Sequence, residues 1–234
     1  MEPQFQHADL ASKIQSTLIS NTLTRAQWER HIADCLAYRF NAAMIPGAWV
    51  RETANSLRGS GIKVASFIDL PFGTMTSAGR AYEAGRLAQD GAQELDLMPN
   101  VGWLLSGMEK EYAADIAGVV RGAGGIPVKV MLELPLLNAA QRERAVFLCL
   151  EAGVAFLKNA SSGMVGVASP DEILWLRKIA PAHIGVKASG GIKTFPQVRD
   201  LLNAGADMVG TSSAVAIMLE LQGAKSRLDV NPSY

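Results

Sequence analysis

Five charged side chains stand inside runs that are otherwise apolar: Asp96 in ELDLM, Lys129 and Glu133 in VKVMLEL, Lys158 in AFLKNA and Lys187 in IGVKAS. A charge in a buried run cannot sit alone among aliphatic neighbours, because an unpaired buried charge is either very costly or neutralised. Any one of these residues would serve equally well as half of a structural ion pair. The set as a whole exceeds what a core needs for cohesion, and two of the lysines suggest a specific chemistry. Lysine is a nucleophile only as the free amine, whereas an ordinary ammonium holds its proton up to about pH 10.4. A second ammonium nearby and removal from water both lower that value. Lys158 and Lys187, near the ends of consecutive apolar runs, form such a pair. Their spacing alone leaves open which one attacks.

A second group of residues suits an anion. Gly190-Gly191 follows one apolar run, Gly210-Thr211-Ser212-Ser213 follows the next, and each leads into a helical stretch. Glycines let backbone N–H groups approach a phosphate, and a helix N-terminus favours negative charge. Either segment alone reads as a turn and a helix cap; two at adjacent strand ends read as a phosphate site. The histidines His7, His31 and His183 lack ligand spacing, so no metal is expected and chelators should have no effect. No GxGxxG follows an early strand, so no dinucleotide is expected, and no cofactor of any kind.

The elements that must hold these groups follow from a repeated pattern. In RGSGIKVASFID, QDGAQELDLM, GAGGIPVKVMLEL, EAGVAFLKNA and NAGADMVGTS a helical stretch ends at Gly and a short apolar run follows. Gly suits the left-handed cap of a helix, and the runs suit strands buried on both faces. Strands are predicted at residues 14–19, 42–45, 63–68, 94–98, 128–134, 156–160, 185–189 and 208–210. Thr24 with Gln27 and Ser169 with Glu172 match the capping box between them, and Trp28, Ile32, Leu36 and Phe40 are placed on one helical face. Eight strands alternating with helices in 234 residues predict one α/β domain, a closed (β/α)8 barrel over 1–234, with ends near 1–10 and 224–234 loosely held. An open doubly wound sheet is the alternative. In a barrel, chemistry belongs at the C-terminal ends of the strands, where the lysines fall.

Composition excludes several partners. Equal numbers of basic and acidic residues (22 each) leave no basic stripe for nucleic acid, and no apolar run is long enough for a membrane span. The polar N-terminus lacks a signal peptide's apolar core. Cys35 and Cys149, in separate predicted helices, read as buried reduced thiols of a cytoplasmic protein.

In their order and spacing, ELDLMPNVGWLLSG, VKVMLE, AFLKNASSG, IGVKASGGIKT and AGADMVGTSS resemble the deoxyribose-phosphate aldolases, over about residues 14–218. The resemblance implies a TIM barrel and a class I aldolase that cleaves 2-deoxy-D-ribose 5-phosphate, reversibly, to D-glyceraldehyde 3-phosphate and acetaldehyde. It implies Lys158 as the Schiff-base lysine, Lys187 as the lysine that tunes it, and Asp96 as the acid that moves protons with water. It places substrate or phosphate binding at Ser161, Gly190, Gly191, Ser212 and Ser213, and matches Tyr234 to a C-terminal tyrosine that assists proton transfer. The chain departs from the family at Gln15, where an Asp is usual, at Asn159-Ala160-Ser161-Ser162, and at Met44 in place of Cys. Gln15 is expected beside the substrate hydroxyl, holding it less tightly than a carboxylate would. A related Schiff-base aldolase with different or broader aldehyde or ketone specificity is therefore a second reading, and a non-catalytic phosphate-binding barrel a third. The expected partner is a phosphorylated sugar or aldehyde; a homo-oligomer is compatible with the sequence.

Overall fold

The computed structural model describes residues 6–223. Among them eight parallel strands close into a barrel in sequence order, and β8 pairs back onto β1. The strands are β1 (Ile14–Thr17), β2 (Ala42–Met44), β3 (Lys63–Ile68), β4 (Glu94–Leu97), β5 (Val128–Met131), β6 (Phe156–Lys158), β7 (Gly185–Ser189) and β8 (Met208–Thr211). Around them lie α1 (His7–Ala11), α2 (Arg25–Tyr38), α3 (Val50–Ser56), α4 (Ser77–Gln89), α5 (Val101–Leu105), α6 (Glu109–Gly122), α7 (Ala139–Glu151), α8 (Pro170–Ile179), α9 (Phe195–Asn203) and α10 (Ala214–Leu221).

Because strand side chains alternate between faces, each strand contributes to two cores. Ile14, Ala43, Val64, Leu95, Leu97, Val130, Leu157, Val186 and Val209 point outward and pack with the helices in the main apolar cluster. Ala42, Met44 and Ala65 form a separate small cluster with Ile19 and Phe67. On β4 to β7 the inward positions carry the charged residues Glu94, Asp96, Lys129, Lys158 and Lys187. The register sets Asp96 beside Lys129 and Lys158 beside Lys187 on neighbouring strands.

Side-chain oxygens start six of the ten helices named above. Thr24 and Gln27 form the expected capping box. Ser169 accepts from the Glu172 N–H, but the return bond is missing because the Glu172 carboxylate faces Asn159 Nδ2 (3.4 Å) and Arg142 (3.9 Å) instead. Leu36 is 43% exposed, not on the buried face with Trp28 and Ile32. A spacing of four drifts about 40° per step from a 3.6-residue turn, so His31 and Cys35 take the inner positions instead. The fifth strand stops at Met131, three residues before the predicted end, because Glu133 turns into the left-handed region and a short 3-10 turn, Leu134–Leu136, follows. The N-terminal boundary also differs from expectation: α1 buries Leu10 and Ala11, and the Ala11 carbonyl accepts from the Asn41 N–H, so the described part of 1–10 is held. Tyr234 and the predicted loose end at 224–234 lie outside the described residues.

Candidate active site

Alternation along β4, β6 and β7 aims Asp96, Lys158 and Lys187 into one space at the upper end of the barrel. Lys158 Nζ and Lys187 Nζ donate to the same oxygen, Asp96 Oδ2, at 2.9 and 2.7 Å. Lys187 also donates to Gln15 Oε1 at 2.6 Å. Below them Glu94 Oε2 accepts from Lys129 and from Gln15 Nε2, both at 2.5 Å, and Glu94 Oε1 accepts from Lys63 at 2.6 Å. Lys129 also lies 3.6 Å from Asp96 Oδ1. One hydrogen-bonded network thus runs from half-exposed Lys63 at the lower end up to the two amines.

Within the barrel, three ammoniums (Lys129, Lys158, Lys187) meet two carboxylates (Glu94, Asp96), and Gln15 adds no charge. Burial first, and this positive excess second, set the protonation of Lys187. Burial pushes Lys187 down, Asp96 resists, and the Lys158 and Lys129 ammoniums push further, so that its pKa falls to about 7. Burial would raise Asp96, but Lys158, Lys187 and Lys129 overcome it and hold the carboxyl well below the usual range. Glu94 is likewise lowered: Lys129 and Lys63 outweigh its burial. The site therefore combines a fixed anion with an amine whose proton is mobile near neutrality.

Both amines line a cavity of about 460 Å³ at the C-terminal face of the barrel. One wall is apolar, with Ile19, Met44, Phe67, Leu70 and Met131. The opposite end is formed by Ser161, Ser162, Gly163, Gly190, Gly191, Lys193 and Ser212. Gly190 and Gly191 have φ of 111° and 62°, a region that few other residues adopt. Gly210 is required for a different reason: a Cβ there would lie 2.6 Å from Ser189 Oγ and 3.0 Å from Lys187 Cε.

Of the residues singled out in the sequence, Asp96, Lys158, Lys187, Ser161, Gly190, Gly191 and Ser212 converge on this cavity. Five others do not line it: Lys129, Glu133, Gln15, Asn159 and Ser213. Gln15 is fully buried beneath the amines and does not line the cavity, so it is not placed to hold a substrate hydroxyl. Asn159 faces outward from β6; its side chain accepts from the Ser189 N–H at 2.8 Å and braces the strands. Ser213 precedes α10, and its N–H is taken by Thr211 Oγ1 at 2.9 Å. The sequence reading missed Glu94, Thr17, Ser189 and Lys193. The signal for the first three was present: each lies two residues from an identified inward position on the same strand. Among the described residues no group of three or more His, Cys, Asp or Glu side chains is arranged to hold a metal ion.

No family model matches the chain. Individual proteins do. The deoxyribose-phosphate aldolase of Thermosynechococcus vestitus is 37% identical over 210 residues, which span 90% of this chain and 96% of that protein. The enzyme of the same name from Methanothermobacter thermautotrophicus is 35% identical over 212 residues, 90% of this chain and 94% of its own length. Among solved structures, the tetrameric deoxyribose phosphate aldolase of Aeropyrum pernix superposes with a TM-score of 0.85 at 30% identity, covering 93% of this chain and 92% of that one. With identity at this level running almost from end to end of both chains, this protein belongs to the deoxyribose-phosphate aldolase family.

Proposed function

We propose that this chain cleaves 2-deoxy-D-ribose 5-phosphate, reversibly, to D-glyceraldehyde 3-phosphate and acetaldehyde through a Schiff base on Lys158. The observation that carries this reading is the pair of amines on one Asp96 oxygen, at the floor of a cavity whose far end is built from glycine and serine loops. Lys158 is the nucleophile because it is the more accessible amine, 6% exposed against 1%, and has a single anchor where Lys187 has two. Its free amine adds to the C1 carbonyl, and loss of water gives the iminium. The C3 hydroxyl gives up its proton, the C2–C3 bond breaks, and its electron pair moves into the iminium to form an enamine. Protonation at C2 and hydrolysis then release acetaldehyde. Lys187, with a pKa near 7, is suited to carry these protons, while ionised Asp96 holds both amines in place. Gly190, Gly191, Lys193 and Ser212 are suited to the phosphate.

The apolar wall of Ile19, Met44, Phe67, Leu70 and Met131 favours a second property, acceptance of unphosphorylated or less hydroxylated aldehydes at reduced efficiency. Two buried free thiols suit a cytoplasmic setting, and the tetrameric relative suggests a homo-oligomer. No step uses a metal, so chelators should leave the rate unchanged.

Borohydride reduction in the presence of substrate tests the assignment. The expected result is loss of activity with a covalent adduct on Lys158, and no turnover in Lys158→Leu when acetaldehyde release is coupled to a dehydrogenase. An adduct on Lys187, or a Lys158→Leu variant that still turns over, would overturn it.

A further inference from the structure

Glu133 is a buried acid that the chemistry above does not use. It sits two residues past β5 with φ 52° and ψ 45°, a conformation uncommon for any residue but glycine, and it is fully buried. Its Oε1 accepts from the Ser161 N–H at 2.6 Å, and its Oε2 is buried without a hydrogen-bond partner among the described residues. Burial raises its pKa against the pull of Ser161 and Lys158. A half-satisfied, backbone-strained carboxyl is a poor choice for stability alone, and such features gather where a function over-rides it.

Its bond to Ser161 falls at a sensitive place. Ser161 is the third residue of the loop between β6 and α8, residues 159–169, which forms one side of the cavity's glycine-rich end. That loop lies directly on Gly190-Gly191, backbone against backbone. The Ala168 N–H donates to the Gly190 carbonyl at 2.9 Å; a Cβ on Gly163 would lie 2.9 Å from Gly191 N, and one on Gly190 would lie 2.5 Å from the Gly166 oxygen. From outside, the loop is backed by Pro135, which a Cβ on Gly166 would approach to 2.6 Å.

We propose that Glu133 is a positioning residue for anion binding: by holding the Ser161 N–H it fixes the loop against Gly190-Gly191 and so sets the width of the slot that receives the substrate's phosphate. Glu133 touches no substrate atom and acts through Ser161. The inference rests on the aldolase reading and concerns only the phosphate end of the cavity, so its signature is selective. Loss of a hydrogen bond to a charged group should raise KM for the phosphorylated sugar and leave the amine chemistry alone.

The test compares 2-deoxyribose 5-phosphate with 2-deoxyribose in Glu133→Ala, Glu133→Gln and Gly166→Ala. In Glu133→Ala, KM for the phosphorylated sugar should rise about tenfold or more, with kcat and the kcat/KM of the free sugar within about threefold. Glu133→Gln keeps an oxygen for the Ser161 N–H and should recover most of the loss. Gly166→Ala presses the loop from its Pro135 side and should give the same selective rise in KM while Glu133 stays in place, so a Glu133→Ala chain that fails to fold leaves the proposal open to refutation. Inorganic phosphate should inhibit less in each variant with raised KM. Equal losses on the two sugars, or an unchanged KM for the phosphorylated sugar in Gly166→Ala, would overturn the proposal. Borohydride trapping of acetaldehyde on Lys158 in every variant reads the amine chemistry separately, so failure of the slot and failure of the aldolase reading remain distinct.

Discussion

The two halves of the barrel interior are built on opposite principles. From β4 to β7, with Gln15 of β1, the inward positions carry Glu94, Asp96, Lys129, Lys158 and Lys187, all bonded to one another. On β2 and β3 they carry Ala42, Met44, Ala65 and Phe67, which make the small apolar cluster. Neither half would work alone. An all-charged interior would admit water and screen its own charges, and an all-apolar one would have no amine to offer. The apolar half adds to the burial of the charged half, and there the burial of Lys187 and the repulsion among the ammoniums are strong enough to bring an amine's proton within reach of neutral pH.

The largest break in this arrangement is removal of one amine from the charged half. Lys187 is charged below about pH 7 and free above it, so kcat/KM should climb as pH rises through that value. In Lys187→Leu the rate should fall by about a hundredfold or more, as expected for loss of a positioned proton carrier, and the ascending limb near 7 should disappear with the group that titrates there. A pH–rate series settles it. Wild-type speed with the limb still near 7 would show that Lys187 is neither the group that titrates there nor the proton carrier.

Much of this was legible in the sequence, because strands buried on both faces advertise themselves as apolar runs, and a charge inside such a run is conspicuous. The strand starts were placed correctly for that reason. What one dimension hides is height and facing. Gln15 was identified by its place in a motif, yet whether it meets the cavity depends on its layer in the barrel, and the layer above it is occupied by Thr17. Asn159 follows Lys158 immediately, and for that reason faces the other way. The grip of Glu133 on Ser161 joins residues 28 apart through a left-handed turn, and no local pattern announces it.

A subtler break tests Gln15. Its amide matches its neighbours, with the oxygen toward the Lys187 ammonium and the nitrogen toward Glu94. Gln15→Asp replaces that nitrogen by an anion facing Glu94 and gives Lys187 a second carboxylate. A nearby anion favours the charged amine, so the ascending limb should move up by about one pH unit and kcat/KM near pH 7 should drop about tenfold. The loss should be the same for 2-deoxyribose 5-phosphate and for analogues lacking a hydroxyl, since residue 15 does not reach the cavity. A change in the ratio between the two substrates would place residue 15 in contact with substrate after all.

The smallest effect should come from the apolar half. Met44 is 2% exposed and faces the cavity beside Ile19 and Phe67. If its role is to exclude water, shape matters little and polarity matters more. Met44→Leu keeps the volume and the apolar surface; such swaps usually cost under about 1.5 kcal/mol, so kcat/KM should stay within about threefold with the pH limb unmoved. Met44→Ser removes volume and supplies a hydroxyl, so that water can enter beside the amines. Burial is the largest influence lowering Lys187, and weakening it should raise the limb by a fraction of a unit without touching any charged group. The two variants together separate packing from dielectric. A limb that shifts in Met44→Leu as far as in Met44→Ser would mean that fit against the wall positions the amines; a limb that moves in neither would mean that the charged half sets its own protonation and the apolar wall serves only to shape the cavity.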